Sequence, residues 1–271
     1  MRTSQPDGHL IAASDVVIRP RRVLGATLSI TAALFVLHIP HVVLASSDAP
    51  VTKLTNRFDL GSDAAFPTWF AAAFLALAAA GLAWIAVLSQ STDRANTRHW
   101  SVLAVIFLVL SIDEVATFHE AFGRFDVFSG YSGLFYYGWV FGGIAVVVVV
   151  GAAYIPFLVR LDRRTRSLFV LSGAIYVSGA LGIEMLNASL ASEQGEQNWR
   201  YALQTGIEEV AEFAGTSLFL YAVADNLMRR SAGVTVAFGS STHEDRDAGR
   251  VGEASGPATH GAVEPSDRHP L

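Results

Sequence analysis

Asp113, Glu114, His119 and Glu120 stand inside one long apolar stretch, in the run Ser-Ile-Asp-Glu-Val-Ala-Thr-Phe-His-Glu. Three other apolar stretches carry similar groups: His38 and His41 in His-Ile-Pro-His, Glu184 and Asn187 in Glu-Met-Leu-Asn, and Glu208, Glu209 and Glu212 in Glu-Glu-Val-Ala-Glu. Carboxylates mixed with imidazoles are what hard-to-borderline divalent metals take, iron and manganese first and zinc after them. No Lys or Arg lies within these stretches. An acid at mid-bilayer costs roughly 2.5–3.5 kcal/mol, so seven unpaired ones would cost on the order of 20 kcal/mol. Protons or a bound cation must neutralise most of them. One or two metal ions would do so at once.

Helical spacing sorts these residues into faces. Asp113 and Glu120 are seven apart and share a face with Thr117. Glu208, Glu209 and Glu212 occupy one arc, which Gly215 continues, so a neighbouring helix can come close there. His38 and His41 are three apart, with Pro40 between them to disturb the outer turn. The expected ligand set is therefore His38, His41, Asp113, Glu120, Glu184, Glu208, Glu209 and Glu212. Glu114 and His119 flank the Asp113 face and are assigned catalytic roles instead. Taken singly, each has an ordinary reading: Glu184 and Asn187 as interhelical hydrogen-bonders, the two His as interfacial anchors, and Glu120 and Glu208 as solvated carboxylates near helix ends.

The elements that must position them are membrane spans. The chain has 271 residues, 52% hydrophobic, and residues 1–22 and 232–271 hold 8 of its 24 acids and 7 of its 19 Lys and Arg. What lies between reads as six apolar helices at 23–45, 67–89, 100–122, 135–159, 168–190 and 202–227, each near the roughly 20 residues that cross a bilayer. The segments joining and flanking them alternate in charge, with 11 Arg on one side and 4 Lys or Arg on the other. Both termini are then cytoplasmic, in a multi-pass protein of the cell membrane. The first span is too long for a signal peptide's apolar region and contains two His and a Pro. Counting 1.5 Å per residue from the cytoplasmic end puts the embedded acids and His at roughly 20–30 Å, in one slab of the outer leaflet. Residues 1–22 form a cytoplasmic segment, 23–230 the six-helix domain, and 231–271 a tail whose composition predicts disorder. With no Cys in the chain, disulfides, thiolate metal sites and a cysteine nucleophile are excluded. No phosphate loop or nucleic-acid patch is present.

Arg57-Phe58-Asp59-Leu60 through Pro67-Thr68-Trp69-Phe70, Ser111-Ile112-Asp113-Glu114 with His119-Glu120, and Glu208-Glu209 with Glu212 resemble a group of uncharacterised bacterial multi-pass membrane proteins. That resemblance covers most of 23–230 and implies no activity. The acids also resemble chemically those of di-iron carboxylate bundles, although this chain has no Glu-x-x-His pair. The expectation is an integral-membrane metalloprotein, an oxidoreductase before a hydrolase, acting on a membrane lipid or another lipid-soluble small molecule. The alternative expectation is a proton-coupled or cation transporter using the same acids.

Overall fold

In a computed structural model of the protein, residues 19–45, 52–63, 65–123 and 130–231 are described, and all regular structure among them is helical. Helix α1 (Pro20–Leu44) opens on a proline, whose fixed φ suits the first helical turn, and runs through Pro40 without ending. A one-turn α2 (Thr52–Thr55) and a 3₁₀ turn follow before α3 (Phe66–Thr92). Asp93 turns the chain into α4 (Arg94–Ala116) and caps it, accepting from the Asn96 N–H at 3.3 Å. Asp162 does the same between α6 (Trp139–Arg160) and α7 (Arg163–Val177), accepting from the Thr165 N–H at 3.1 Å. Each of these two hairpins thus turns on a single capping acid.

Two departures from regular α-helix shape the outer half. The span expected to end at Phe122 ends at Ala116: Thr117 is left-handed (φ 50°), and a short α5 (Phe118–Gly123) starts after it. Between α7 and α8 (Glu184–Gln194) lies a wider π-helical turn, Ser178–Ile183. The last helix, α9 (Trp199–Ser231), is the axis on which α1, α3, α7 and the π-helical turn pack. The core along it is apolar and aromatic, with Phe74 edge-on to Phe213 and Phe107 stacked on Phe219.

Among the described residues five helices are long and apolar enough to cross a membrane: α1, α3, α4, α6, and the continuous α7–α8 run Arg163–Gln194. The sixth expected span, α9, is not among them. It is the longest helix at 33 residues, but three Glu, Asp225 and Asn226 interrupt its apolar run. Its surroundings, rather than its own hydropathy, bury it. The residues before Arg19 and after Ser231, with the expected disordered tail, lie outside the described residues, as do Arg124 and Asp126.

Candidate functional site

The acids of α9 sit where two glycines draw the neighbouring helix in. A Cβ on Gly215 would lie 2.6 Å from the backbone nitrogen of Tyr176, and one on Gly179 would lie 3.0 Å from the Glu208 carbonyl oxygen. Only glycine allows α7 and the π-helical turn to cross α9 this closely. That crossing brings the Tyr176 hydroxyl onto the Glu212 carboxylate. Beyond it, α8 begins with Glu184 and carries Asn187 one turn later. Asn187 Nδ2 donates to Glu208 Oε2, and Glu184 and Glu208 share a side-chain hydrogen bond. From α6, Trp139 Nε1 donates to Glu184 Oε1 at 3.3 Å.

At the centre is a narrow cavity lined by Glu114, Glu209, Glu212 and Tyr176 together with Phe74 and Phe213, with room for about one water. The three carboxylates surround this space rather than converge on a point. No three of the described His, Asp and Glu side chains are placed closely enough to ligate one metal ion. Among the described residues Asn187 Oδ1 is fully buried and accepts no hydrogen bond. A buried acceptor without a donor is uncommon and needs a physical reason.

The break at Thr117 changes the expected faces. Asp113, Thr117 and Glu120 share a face only if the helix continues, and it does not. The chain turns back instead, so that Asp113 Oδ1 accepts from the His119 N–H at 3.1 Å and Oδ2 accepts from His119 Nδ1–H at 2.7 Å. Asp113 therefore caps α5, which offsets the cost, roughly 1–2 kcal/mol, of a left-handed β-branched residue. Glu114, set aside from the ligand set in the sequence, is the α4 residue that reaches the cavity. Asp113 is engaged with the half-exposed His119, whose ring packs edge-on to Trp139 with centroids 4.8 Å apart. Glu120 lies in α5, and its side chain lies outside the described residues.

His38 and His41 belong to a different place. His38 is fully buried, its Nε2–H donating to the Ala202 carbonyl at 3.0 Å and its Nδ1 accepting from the Leu60 N–H at 3.2 Å. Both ring nitrogens are used to pin the 52–63 segment and α9 to α1. Gly206 makes room for it: a Cβ there would lie 2.6 Å from the ring. His41 stacks on His38 and meets Asn56 at 3.1 Å and Asp59 at 3.5 Å. It lines an open outer cleft with Asp59, Glu196 and Tyr201, away from the three-carboxylate cavity.

Two residues of the cluster carried no sequence signal. Tyr176 reads as one more polar residue in an apolar run, and Trp139 as an interfacial anchor; only the α7–α9 crossing and the outer end of α6 put them against acids. The paired small residues Gly179 and Gly215 were the one available mark of that crossing. No curated protein and no solved structure matches the chain. A family model described as a domain of unknown function, DUF8692, matches residues 27–226, which is most of the chain, and the protein belongs to that family.

Proposed function

We propose that the protein is an integral-membrane bundle of six spans with cytoplasmic termini, and that its outer-half carboxylates take up a small cation to drive coupled transport. The observation that carries this reading is the cavity shared by Glu114, Glu209 and Glu212, with no Lys or Arg among its lining residues. Its size suits a proton, a hydronium or a bare metal ion and leaves no space for a lipid. One helical turn from Glu212, Glu208 holds Asn187, whose buried Oδ1 is a further acceptor without a donor. As for the sixth span, α9 is about 50 Å long and packs among apolar helices, which supports its running with them through the bilayer. The distribution of Arg supports the orientation.

A metal-dependent enzyme is the second reading, and one observation favours it. The Asp113–His119 pair is half-exposed beside Glu114, as a proton-transferring pair next to a metal would be. In that reading Glu114, Glu209 and Glu212 would have to draw in from the positions seen here to hold an ion, iron or manganese for redox chemistry or zinc for hydrolysis, with a membrane lipid or lipid-soluble molecule as substrate.

The two readings separate in one preparation. Protein purified in detergent without chelator is assayed for metal, then reconstituted in vesicles and tested for proton or cation flux. Flux that disappears in Glu212→Gln, with little bound metal, supports transport. Near-stoichiometric metal without flux supports the enzyme. Neither metal nor flux overturns both.

A further inference from the structure

Helix α6 is attached to the bundle at its two ends and stands off it between them. At the outer end Val140 is buried and Gly143 lies against Leu181. At the inner end Phe157 is buried against His99 and Trp100, and the Tyr154 hydroxyl donates to the His99 carbonyl at 3.0 Å. In the stretch 144–153 every residue is exposed except the half-exposed Val150. Ten helical residues turn through nearly three full circles, so the side towards α4 and α7 is as uncovered as the outer side. A Cβ added to Gly151 would touch nothing. Across the gap, Leu103 and Phe107 follow Trp100 on the same face of α4, and Phe107 is stacked on Phe219. The result is an apolar cleft about 15 Å long, open sideways.

Its inner mouth is cationic. Arg98 stands at that end of α4, Arg160 ends α6, and Arg163 and Arg166 begin α7. None of the four has a carboxylate partner among the described residues, whereas Arg164 and Arg229 do. Arg160 and Arg166 donate only to the backbone carbonyls of Pro156 and Val159.

We propose that this cleft holds one acyl chain of an anionic phospholipid of the cytoplasmic leaflet, with its phosphate on Arg160, Arg163 and Arg166. The inference rests on the membrane reading above and not on which cation the acids take. A lateral gap in hydrocarbon fills with hydrocarbon, and the unpaired arginines select the headgroup's charge. A second copy of the chain fits less well. It would need free acids at the same level, and Asp93, Asp162 and Asp225 are each engaged within their own chain.

The test uses the full chain in mild detergent, with phosphatidylglycerol and phosphatidylcholine as probes, read by intact-protein mass spectrometry and thermal unfolding. Phosphatidylglycerol should bind and raise the unfolding temperature more than phosphatidylcholine. Replacing Arg160, Arg163 and Arg166 together by Ala should weaken phosphatidylglycerol binding on the order of a hundredfold and leave phosphatidylcholine unchanged. Because the chain has no native Cys, Leu103→Cys carrying a fluorophore can report the tail, and phospholipid brominated at mid-chain should quench it. Equal response to the two lipids in the unaltered protein overturns the headgroup assignment even if the triple variant does not fold. A label insensitive to bromine, or shielded by a second copy in a cross-linked dimer, overturns the acyl-chain occupant. A chain that stays soluble without detergent breaks the membrane reading itself, a separate result.

Discussion

The two ends of α9 handle charge in opposite ways. At the end that the proposed topology makes the inner one, Asp162 and Asp225 meet cations: Arg229 bonds Asp225 at 3.1 Å and Asp162 at 3.2 Å, and Arg164 bonds Asp225 at 2.8 Å. Arg229 also donates to Thr165 at 2.6 Å, while Arg230 bonds Asn226 at 2.7 Å and lies over the Trp100 ring. About 20 Å away along the same helix, Glu208, Glu209 and Glu212 meet other carboxylates, Tyr176 and Asn187, and no Lys or Arg among the described residues. Phe169, Phe107 and Phe219 pack between the two levels. One end is complete as built and ties α7 to α9. The other is complete only with protons or a cation added. The same helix therefore carries a staple and a site, and the difference lies in the missing counter-charge rather than in the number of acids.

Substitution at the site should have the largest effect, and on function rather than on fold. Glu212→Gln keeps an acceptor for the Tyr176 hydroxyl while removing one charge from the cavity. Cation uptake in vesicles should fall by roughly tenfold or more, since an embedded acid of this kind is the group that binds. Thermal stability without added cation should hold or rise, because the remaining acids repel one another less. A fall in stability without loss of uptake would make the outer cluster a second staple and erase the contrast.

Arg229→Ala makes the complementary change at the inner end. It removes hydrogen bonds to Asp225, Asp162 and Thr165, from a partly exposed position, and should cost about 1–3 kcal/mol in detergent unfolding. Uptake by the folded fraction should be unchanged. If uptake falls as well, the aromatic layer between the two ends transmits the disturbance and they are coupled.

Thr117→Gly sharpens the boundary of the site. Glycine takes the left-handed conformation freely, so stability should rise by roughly 1 kcal/mol. Uptake should stay the same if the Asp113–His119 cap is structural. If uptake drops, the break in α4 does more than turn the chain, and His119 belongs to the working site.

What the sequence revealed follows from what each feature depends on. Long apolar runs and Arg-rich inner loops depend on local composition, so α1, α3 and α6 fall close to their expected positions. Helix rise put Glu184, Glu208 and Glu212 at similar levels, and the contacts of α8 with α9 do bring Glu184 and Glu208 together around Asn187. The turn at Thr117 was not legible, because Thr is a poor left-handed residue and Asp113 stabilises it from four positions earlier through a group two positions later. That single turn exchanged the expected positions of Asp113 and Glu114. His38 was misleading for a related reason. An imidazole in an apolar run looks like a ligand, yet here its partners are the Leu60 amide and the Ala202 carbonyl, backbone groups that no side-chain pattern marks.

The smallest effect expected is in the acid limb of stability, and it belongs to the inner end. Partial burial pushes the Asp162 carboxyl up, but hydrogen bonds from Thr165 and the Arg229 guanidinium outweigh it and hold the group below the usual carboxylate range. A carboxyl depressed in the folded state contributes stability that is fully present above its unfolded value, near about pH 4, and is lost as pH falls through the lower folded value. Asp162→Asn should therefore cost a little stability at neutral pH, since the side chain is 46% exposed and its pairing is screened, and the two curves should converge as pH falls below about 4, which flattens the acid limb. Added salt should shrink even that difference. A large change at neutral pH would mean that the cap on α7, rather than the ion pair with Arg229, holds the inner hairpin. The inner end would then be matched to its charges less closely than the contrast with the outer end requires.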